Sequence, residues 1–274
     1  MTAVLLALAA AAFFGAMTVA IRLGLRGHDT GAAALATILT ALAVTVVAAA
    51  VRPGFGGAWP FLLAGLIAPG ASQILFTLAV HEIGASRTSV TVGAAPLAAV
   101  VIAIVFLGEP LSAPLMIGAL AIVGGGVLLA VERRRPEHLR RIGLAYAAVA
   151  AVLFATRDNI VRALHGHATP ETAAAATLLA GAILAAAWTR RAPTRGELAR
   201  LAPAGVLFGL SYLCLFAAYF HGRVTVVSPL VATESLWGVA LAALLIPHSE
   251  HIGPRVLAGA GLVVAGGVLI GVAQ

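Results

Sequence analysis

Three ionisable residues lie inside long apolar stretches of the sequence, where they could do chemistry. Glu234 lies near the middle of VSPLVATESLWGVAL, and Arg157 and Asp158 interrupt LFATRDNIVRAL. Because an ionised group in hydrocarbon is costly, such residues are functional candidates by default. We expect Glu234 either to take up a proton in exchange for substrate or to bind a substrate ammonium. The structural alternative is a glutamate held in a permanent pair or kept protonated between helices.

Small polar and aromatic side chains extend this candidate site. Thr233, Ser235 and Trp237 flank Glu234, and Pro229 frees a backbone carbonyl in the same stretch, which suits an irregular helix that lines a cavity. Trp237 could stack on a substrate, with packing as an equal alternative. The remaining candidates are polar side chains in two other apolar stretches, where packing between helices is again the alternative: Tyr212, Tyr219, Ser72 and Gln73.

The spacing of the charged residues predicts specific partners. Asp158 and Arg162 are four residues apart, which predicts a local ion pair on one helix face near a span end. Arg157 points about a quarter turn away. It could pair with Glu234, bind a substrate carboxylate with both of its terminal nitrogens, or extend to the lipid headgroups. Glu109, at the end of an apolar stretch, is predicted to be structural or interfacial, with gating as the alternative.

The composition places these residues in an integral membrane protein. Of 274 residues, 61% are hydrophobic and 10% are charged, and the mean hydropathy is +1.06. Soluble domains have about 45–50% apolar and about 25% charged residues. A bilayer-spanning helix needs ~20 residues, so ten spans leave only short connections. The chain therefore has no room for a separate soluble domain.

Composition and motifs exclude several functions. All 17 basic residues are arginine, so a P-loop, which needs lysine, is impossible, and no HExxH motif occurs. The single cysteine, Cys214, and histidines that lie mostly in connections predict no metal site and no cofactor. The arginines lie between apolar stretches, where positive charge sets membrane orientation, so we expect no nucleic-acid partner.

The apolar stretches predict ten transmembrane helices in two copies, 1–131 and 142–274, joined by an Arg-rich linker at 132–141. The repeat is visible because Phe14 and Arg22 correspond to Phe154 and Arg162 at one common offset along the chain. Five spans per copy is an odd number, so the fold class is all-α, with two inverted five-helix repeats. The predicted spans are 3–24, 31–51, 59–80, 86–107, 113–131, 142–164, 170–189, 201–220, 223–246 and 254–273.

The arginines divide unequally between the two predicted membrane faces. Thirteen fall on one face and three on the other, namely Arg52, Arg162 and Arg223, which mark what we call the arginine-poor face. Because positive charge stays in the cytoplasm, this face is predicted to lie outside, together with both termini.

The chain resembles the EamA-like branch of the drug/metabolite transporter superfamily. The residues that carry the resemblance are Phe14 with Gly15, Arg22, GASRTS at 84–89, PLAAVVIAIVFLGEPLS at 96–112 and SPLVATESLW at 228–237. The second repeat departs from the pattern with Ser249 before Glu250, where Gly-Glu is usual. The resemblance implies a secondary transporter without ATPase activity, often an exporter, of small organic metabolites or drugs.

We therefore predict a transporter, and not an enzyme, in the inner (plasma) membrane. Its partners would be a small-molecule substrate, such as an amino acid or a drug-like cation, protons and the lipid bilayer. Alternating access around a midplane cavity would move the substrate. The glycines of the last span, such as Gly267 and Gly271, predict helix packing, with a weak homodimer as the alternative. The functional alternatives are a membrane-embedded enzyme acting on lipid or peptide, and a membrane sensor that does not transport.

Overall fold

The computed structural model describes residues 1–24, 30–52, 54–83, 91–92, 95–110, 112–130, 141–245 and 254–272, which are almost entirely helical and include no β-strand. The α-helices are α1 Thr2–Gly24, α2 Thr30–Val51, α3 Trp59–Gly65, α4 Ser72–Ile83, α5 Ala95–Leu107, α6 Ala113–Ala130, α7 Arg141–Ala163, α8 Pro170–Thr189, α9 Arg195–His221, α10 Val224–Val231, α11 Glu234–Leu245 and α12 Pro254–Val272. A 3₁₀ turn, Phe55–Gly57, precedes α3, and a π-helix, Leu66–Ala71, joins α3 to α4. Except for Arg141, the predicted linker lies outside the described residues, as do the GASRTS segment and the pair Ser249-Glu250.

The described helices are those of a multi-pass membrane protein. Large side chains such as Val105 and Phe106 are exposed by 66% and 78%, which is favourable where the surrounding solvent is hydrocarbon. Trp59 and Trp188 are exposed at the start of α3 and the end of α8, where interfacial anchors are expected. Six described segments are long and apolar enough to cross a bilayer: Thr2–Ile21, Gly31–Val51, Trp59–Ala79, Arg141–Ala163, Pro170–Thr189 and Arg195–His221.

Two predicted spans are interrupted in the structure, the third and the ninth. The third span changes to a π-helix, in which Ala68 has an extended backbone (φ −148°, ψ 126°) directly before Pro69. The ninth span ends its first helix at Val231 and begins a second at Glu234. Proline lacks an N–H donor and its ring crowds the preceding turn, which accounts for the break directly before Pro69. Glu234 therefore begins a helix and does not lie within one.

The eighth predicted span begins earlier than expected, at Arg195. The Thr194 hydroxyl accepts the Glu197 N–H at 3.3 Å, and the Glu197 carboxylate accepts the Thr194 N–H at 2.7 Å. This capping box satisfies two N–H groups that the first turn would otherwise leave unpaired. Arg191 donates to the same carboxylate at 2.6 Å. The segment that the apolar pattern assigned to a connection is therefore the polar first turn of α9.

Glycines let α6 and α12 pack closely. A Cβ atom on Gly118 would lie 2.9 Å from the Gly266 carbonyl oxygen, and one on Gly125 would lie 2.6 Å from that of Gly259. The earlier residue of α6 thus faces the later residue of α12, so the two helices run antiparallel. Only residues without a large side chain allow such close approach of two helix backbones.

A second set of contacts occurs twice, once in each repeat. Gly65 of α3 faces the backbone of Thr177 in α8, and Gly205 of α9 faces the backbone of Thr37 in α2. Each threonine hydroxyl donates to the carbonyl four residues earlier, at 2.8 Å for Thr37 and 2.7 Å for Thr177. Gly205 follows Gly65, and Thr177 follows Thr37, at the same offset that relates Phe154 to Phe14. The third and seventh spans therefore pack in the same way as the eighth and second.

The contact of α6 with α12 predicts that Gly125→Ala destabilises the protein and that Gly124→Ala does not. The added methyl at Gly125 would meet α12 backbone, and overpacking of this kind costs about 1–3 kcal/mol. Gly124 has no atom within 4 Å of an added Cβ, so its substitution should be neutral or slightly stabilising. Thermal unfolding of both variants in detergent measures the difference, and equal melting temperatures would contradict this packing.

Candidate functional site

A buried ion pair lies on α7. Arg157 is 4% exposed and Asp158 is 8% exposed. The Arg157 Nε atom donates to Asp158 Oδ1 at 2.7 Å, and its Nη1 atom donates to the Tyr212 hydroxyl on α9 at 2.6 Å. A buried charge requires both a counter-ion and hydrogen bonds, and Arg157 has both. The pair thereby joins α7 to α9.

Aromatic rings surround the Arg157 guanidinium. Its central carbon lies 5.1 Å from the Tyr212 ring centroid and 5.8 Å from that of Phe154. Tyr212 in turn stacks on Phe216 at 5.5 Å and meets Phe208 edge to face at 4.7 Å. Ring faces attract a desolvated cation, so Phe154 of α7 and Tyr212 of α9 add to the stabilisation of Arg157. These rings also fix the orientation of Tyr212.

Tyr219 lies beside the ion pair of Arg157 and Asp158. It is fully buried, and its hydroxyl lies near the Asp158 carboxylate and the Ser228 hydroxyl of α10. In the described part of the chain, that hydroxyl has no partner in hydrogen-bond geometry. A buried hydroxyl without a partner is costly, so a further hydrogen bond at Tyr219 would be favourable. Ser228 is itself 2% exposed.

Glu234 is half-buried at the first position of α11 and packs against α1. A Cβ atom on Gly15 would lie 2.7 Å from the Glu234 carbonyl oxygen, so this glycine lets the two backbones meet. The charge of Asp158 acts on the Glu234 carboxylate. Among the described residues the carboxylate makes no hydrogen bond and no ion pair. The predicted alternative of a pair with Arg157 is therefore wrong in this structure.

The residues that flank Glu234 separate into three cases. The buried Thr233 hydroxyl donates to the Leu230 carbonyl at 2.7 Å, a hydrogen bond that links the end of α10 to the residue before α11. Trp237 is 41% exposed and its Cβ atom borders Gly15, which favours packing over stacking on a substrate in this conformation. The side chain of Ser235 lies outside the described part of the structure.

Ser72 and Gln73 are buried at the start of α4. They are 0% and 3% exposed and begin α4, directly after the π-helix, on the helix that packs against α7. The Ser72 hydroxyl has no hydrogen-bond partner in the described residues. Ser72 holds the position in the first repeat that Tyr212 holds in the second. The two repeat-related hydroxyls therefore differ, because that of Tyr212 accepts from Arg157 and that of Ser72 has no partner among the described residues.

The predicted ion pair between Asp158 and Arg162 does not form. Asp158 pairs with its neighbour Arg157, whose side chain is buried and does not extend to the headgroups. Arg162, nearer the end of α7, donates instead to the Tyr219 carbonyl at 3.1 Å and lies 3.9 Å from the Glu109 carboxylate. The interpretation of Asp158 as part of a local pair near the span end was therefore wrong.

Sequence reasoning did not identify Asn159. This buried residue follows the ion pair, and its Nδ2 atom donates to the Ala99 carbonyl of α5 at 3.0 Å and to the Ala155 carbonyl at 2.9 Å. Its side-chain oxygen has no partner in the described residues. The Arg-Asp-Asn run within an apolar stretch is the signal that could have identified it.

Arg157, Asp158 and Glu234 together carry one more negative than positive charge when both carboxyl groups are ionised. Arg157 neutralises Asp158, while Glu234 keeps a carboxylate without a partner among the described residues. Such a group can bind a proton or a positively charged nitrogen. The described residues contain no group of three or more histidine, cysteine or acidic side chains that could hold a metal ion.

Comparison with known proteins gives one family and one fold. The family model of the EamA-like transporter family matches residues 1–131 and 141–272. A solved crystal structure superposes with a TM-score of 0.84 over 97% of this chain and 95% of that chain, at 18% identity. At this identity the similarity shows the fold alone. No curated protein matches the sequence.

The Arg157 hydrogen bonds predict that Tyr212→Phe destabilises the protein. The change removes only the hydroxyl oxygen and leaves a buried, charged donor without its partner, at a cost of about 1–3 kcal/mol. Tyr146→Phe is the matched control, because the half-buried Tyr146 forms no described hydrogen bond through its hydroxyl. Thermal unfolding in detergent compares the two variants, and an unchanged melting temperature for Tyr212→Phe would show that this bond contributes nothing.

Proposed function

This chain belongs to the EamA-like transporter family, and we propose that it is a secondary transporter that exports small organic metabolites across the inner (plasma) membrane. It would use no ATP and catalyse no reaction. Its cargo would be an amino acid or a drug-like cation. Alternating access around a cavity between the two repeats would expose the cargo to each side in turn.

Helix directions support the inverted arrangement of ten spans that this mechanism requires. The repeat-related helices α6 and α12 run antiparallel, as their glycine contacts indicate. The repeat-related helices α2 and α8 do the same. Thr169, just before α8, donates to the carbonyl of Arg52, just after α2, at 3.2 Å. At the opposite ends, Gly31 of α2 and Thr189 of α8 line one cleft. Repeats related by an axis in the membrane plane have this relation.

The observation that carries the proposed site is the unpaired Glu234 carboxylate beside a satisfied ion pair. In the proposed mechanism, Glu234 exchanges a proton for the positively charged nitrogen of the cargo. Both cargo classes carry such a nitrogen. Tyr219 and Ser228 would offer hydroxyls to the polar part of the substrate, and the Tyr212 ring would form one wall. Arg157 would hold Asp158 in place, because its Nε atom donates to the Asp158 carboxylate and its Nη1 atom to the Tyr212 hydroxyl.

We expect Glu234→Gln to fold and to lose the dependence of transport on pH in proteoliposomes. The amide keeps the size of the side chain but can neither release a proton nor neutralise a cation. Glu171→Gln is the control, because Glu171 is a carboxylate near the surface, 3.7 Å from the exposed Arg52. Uptake of a transported substrate, measured at pH 5 to 8 in vesicles of each variant, tests the role. If Glu234→Gln retains the pH dependence of the parent protein, Glu234 does not couple protons to transport.

The cargo class can be tested by counterflow in vesicles preloaded with amino acids, sugars or organic cations. We expect exchange of compounds that carry a charged nitrogen and no exchange of neutral sugars. Counterflow of sugars alone would contradict the assignment of Glu234 as the group that selects the substrate. Absence of counterflow for every class would contradict the transport function itself.

A further inference from the structure

A carboxylate of the first repeat binds the backbone of the second repeat at the arginine-poor face. Glu109 follows α5, and its two oxygens accept the N–H groups of Val224 at 2.9 Å and Thr225 at 2.8 Å. These N–H groups begin α10. The Glu109 side chain is 8% exposed, and Arg162 lies 3.9 Å from its carboxylate. We call this set of contacts the Glu109 clamp.

The chemistry of the clamp suits a carboxylate. A helix start presents unpaired N–H groups and a partial positive charge, and both favour a negatively charged acceptor. Each oxygen of Glu109 accepts one N–H, and bonds to a charged acceptor are about twice as strong as neutral ones. A glutamine could accept only one of them, because its amide nitrogen is a donor. The clamp is therefore specific for an acidic residue at this position.

The position of the clamp relates it to transport. Glu109 belongs to the first repeat, whereas Val224, Thr225 and Arg162 belong to the second. In the proposed alternating-access cycle, on which this inference rests, the two repeats must separate at one face and then at the other. We propose that the Glu109 clamp is the latch that holds the arginine-poor face closed and breaks each time that face opens. Glu109 is thus a positioning residue for transport, which does not touch the substrate.

The short helix α10 carries the effect of the clamp to the centre. It begins at the clamp and bears Ser228, which lies near the Tyr219 hydroxyl. Release of the first turn of α10 would let water enter along this helix to Ser228, which is 2% exposed while the clamp is closed. Exposure of position 228 therefore reports the state of the latch without any substrate.

The test measures labelling of a cysteine at position 228 by a thiol reagent that does not cross membranes. Ser228→Cys is made in a Cys214→Ala background, so that it is the sole cysteine. His165→Cys, exposed on the same face, identifies the side from which the reagent must come. Adding Glu109→Gln should raise the labelling rate of position 228 from that side about tenfold, which corresponds to ~1.4 kcal/mol of lost latch stability. Glu171→Gln should leave the rate unchanged.

A labelling rate in Glu109→Gln that equals that of the parent or of Glu171→Gln overturns the latch. Glu109→Asp, which keeps the charge but shortens the reach, should give an intermediate rate. It decides the question if Glu109→Gln does not fold, since a parental rate again overturns the proposal. Because labelling needs no substrate, the outcome is separate from that of transport. Faster labelling with no counterflow would retain the latch and reject the transporter, whereas unchanged labelling with normal counterflow would reject the latch alone.

Discussion

Hydrocarbon offers a charged side chain neither water nor a counter-ion, and this constraint determines the centre of the molecule. Arg157 can remain charged there only because Asp158, the Tyr212 hydroxyl and two ring faces replace its hydration. Each of these partners must in turn be held in place, so α7 and α9 are fixed relative to each other. The Glu234 carboxylate lies beside this satisfied pair without a partner of its own among the described residues. A proton or a cationic ligand that binds Glu234 would therefore find a carboxylate that no described residue already neutralises.

The two repeats share their packing but not their chemistry. Gly65 and Gly205 make equivalent close contacts, because helix backbones can approach in only a few ways and a side chain at these positions would prevent it. At the centre, Arg157 corresponds to Met17, which is fully buried and apolar. Tyr212 corresponds to Ser72, which is too short to reach a guanidinium. The polar site is therefore one-sided, and a substrate would meet the charges of the second repeat across an almost neutral first repeat.

The sequence was sufficient for the features that depend on composition and spacing. Apolar length predicted the helices, and the constant offset between matching residues predicted which of them are related. It was not sufficient for partners, because spacing along an isolated helix favoured Asp158 with Arg162. Burial reverses this preference, because a buried Arg157 needs a counter-ion and the Asp158 carboxylate is adjacent. The sequence predicted an irregular helix around Pro229 but not the position of the break, because Pro229 lies within α10 and that helix ends only at Val231.

That break determines how the arginine-poor face can communicate with the site. α10 has 8 residues and is therefore about 12 Å long. Its first turn is bound by Glu109, and its later turn carries Ser228 beside Tyr219. A continuous ninth helix would place Glu234 on the same helix as Ser228, so that a movement of that helix at the arginine-poor face would also displace the Glu234 carboxylate. With the helix interrupted and Thr233 bonded back to Leu230, Glu234 packs instead on α1 through Gly15. In the proposed cycle the face would then open along α10 while the carboxylate stays with the first repeat, so that access to the site would be separate from binding within it.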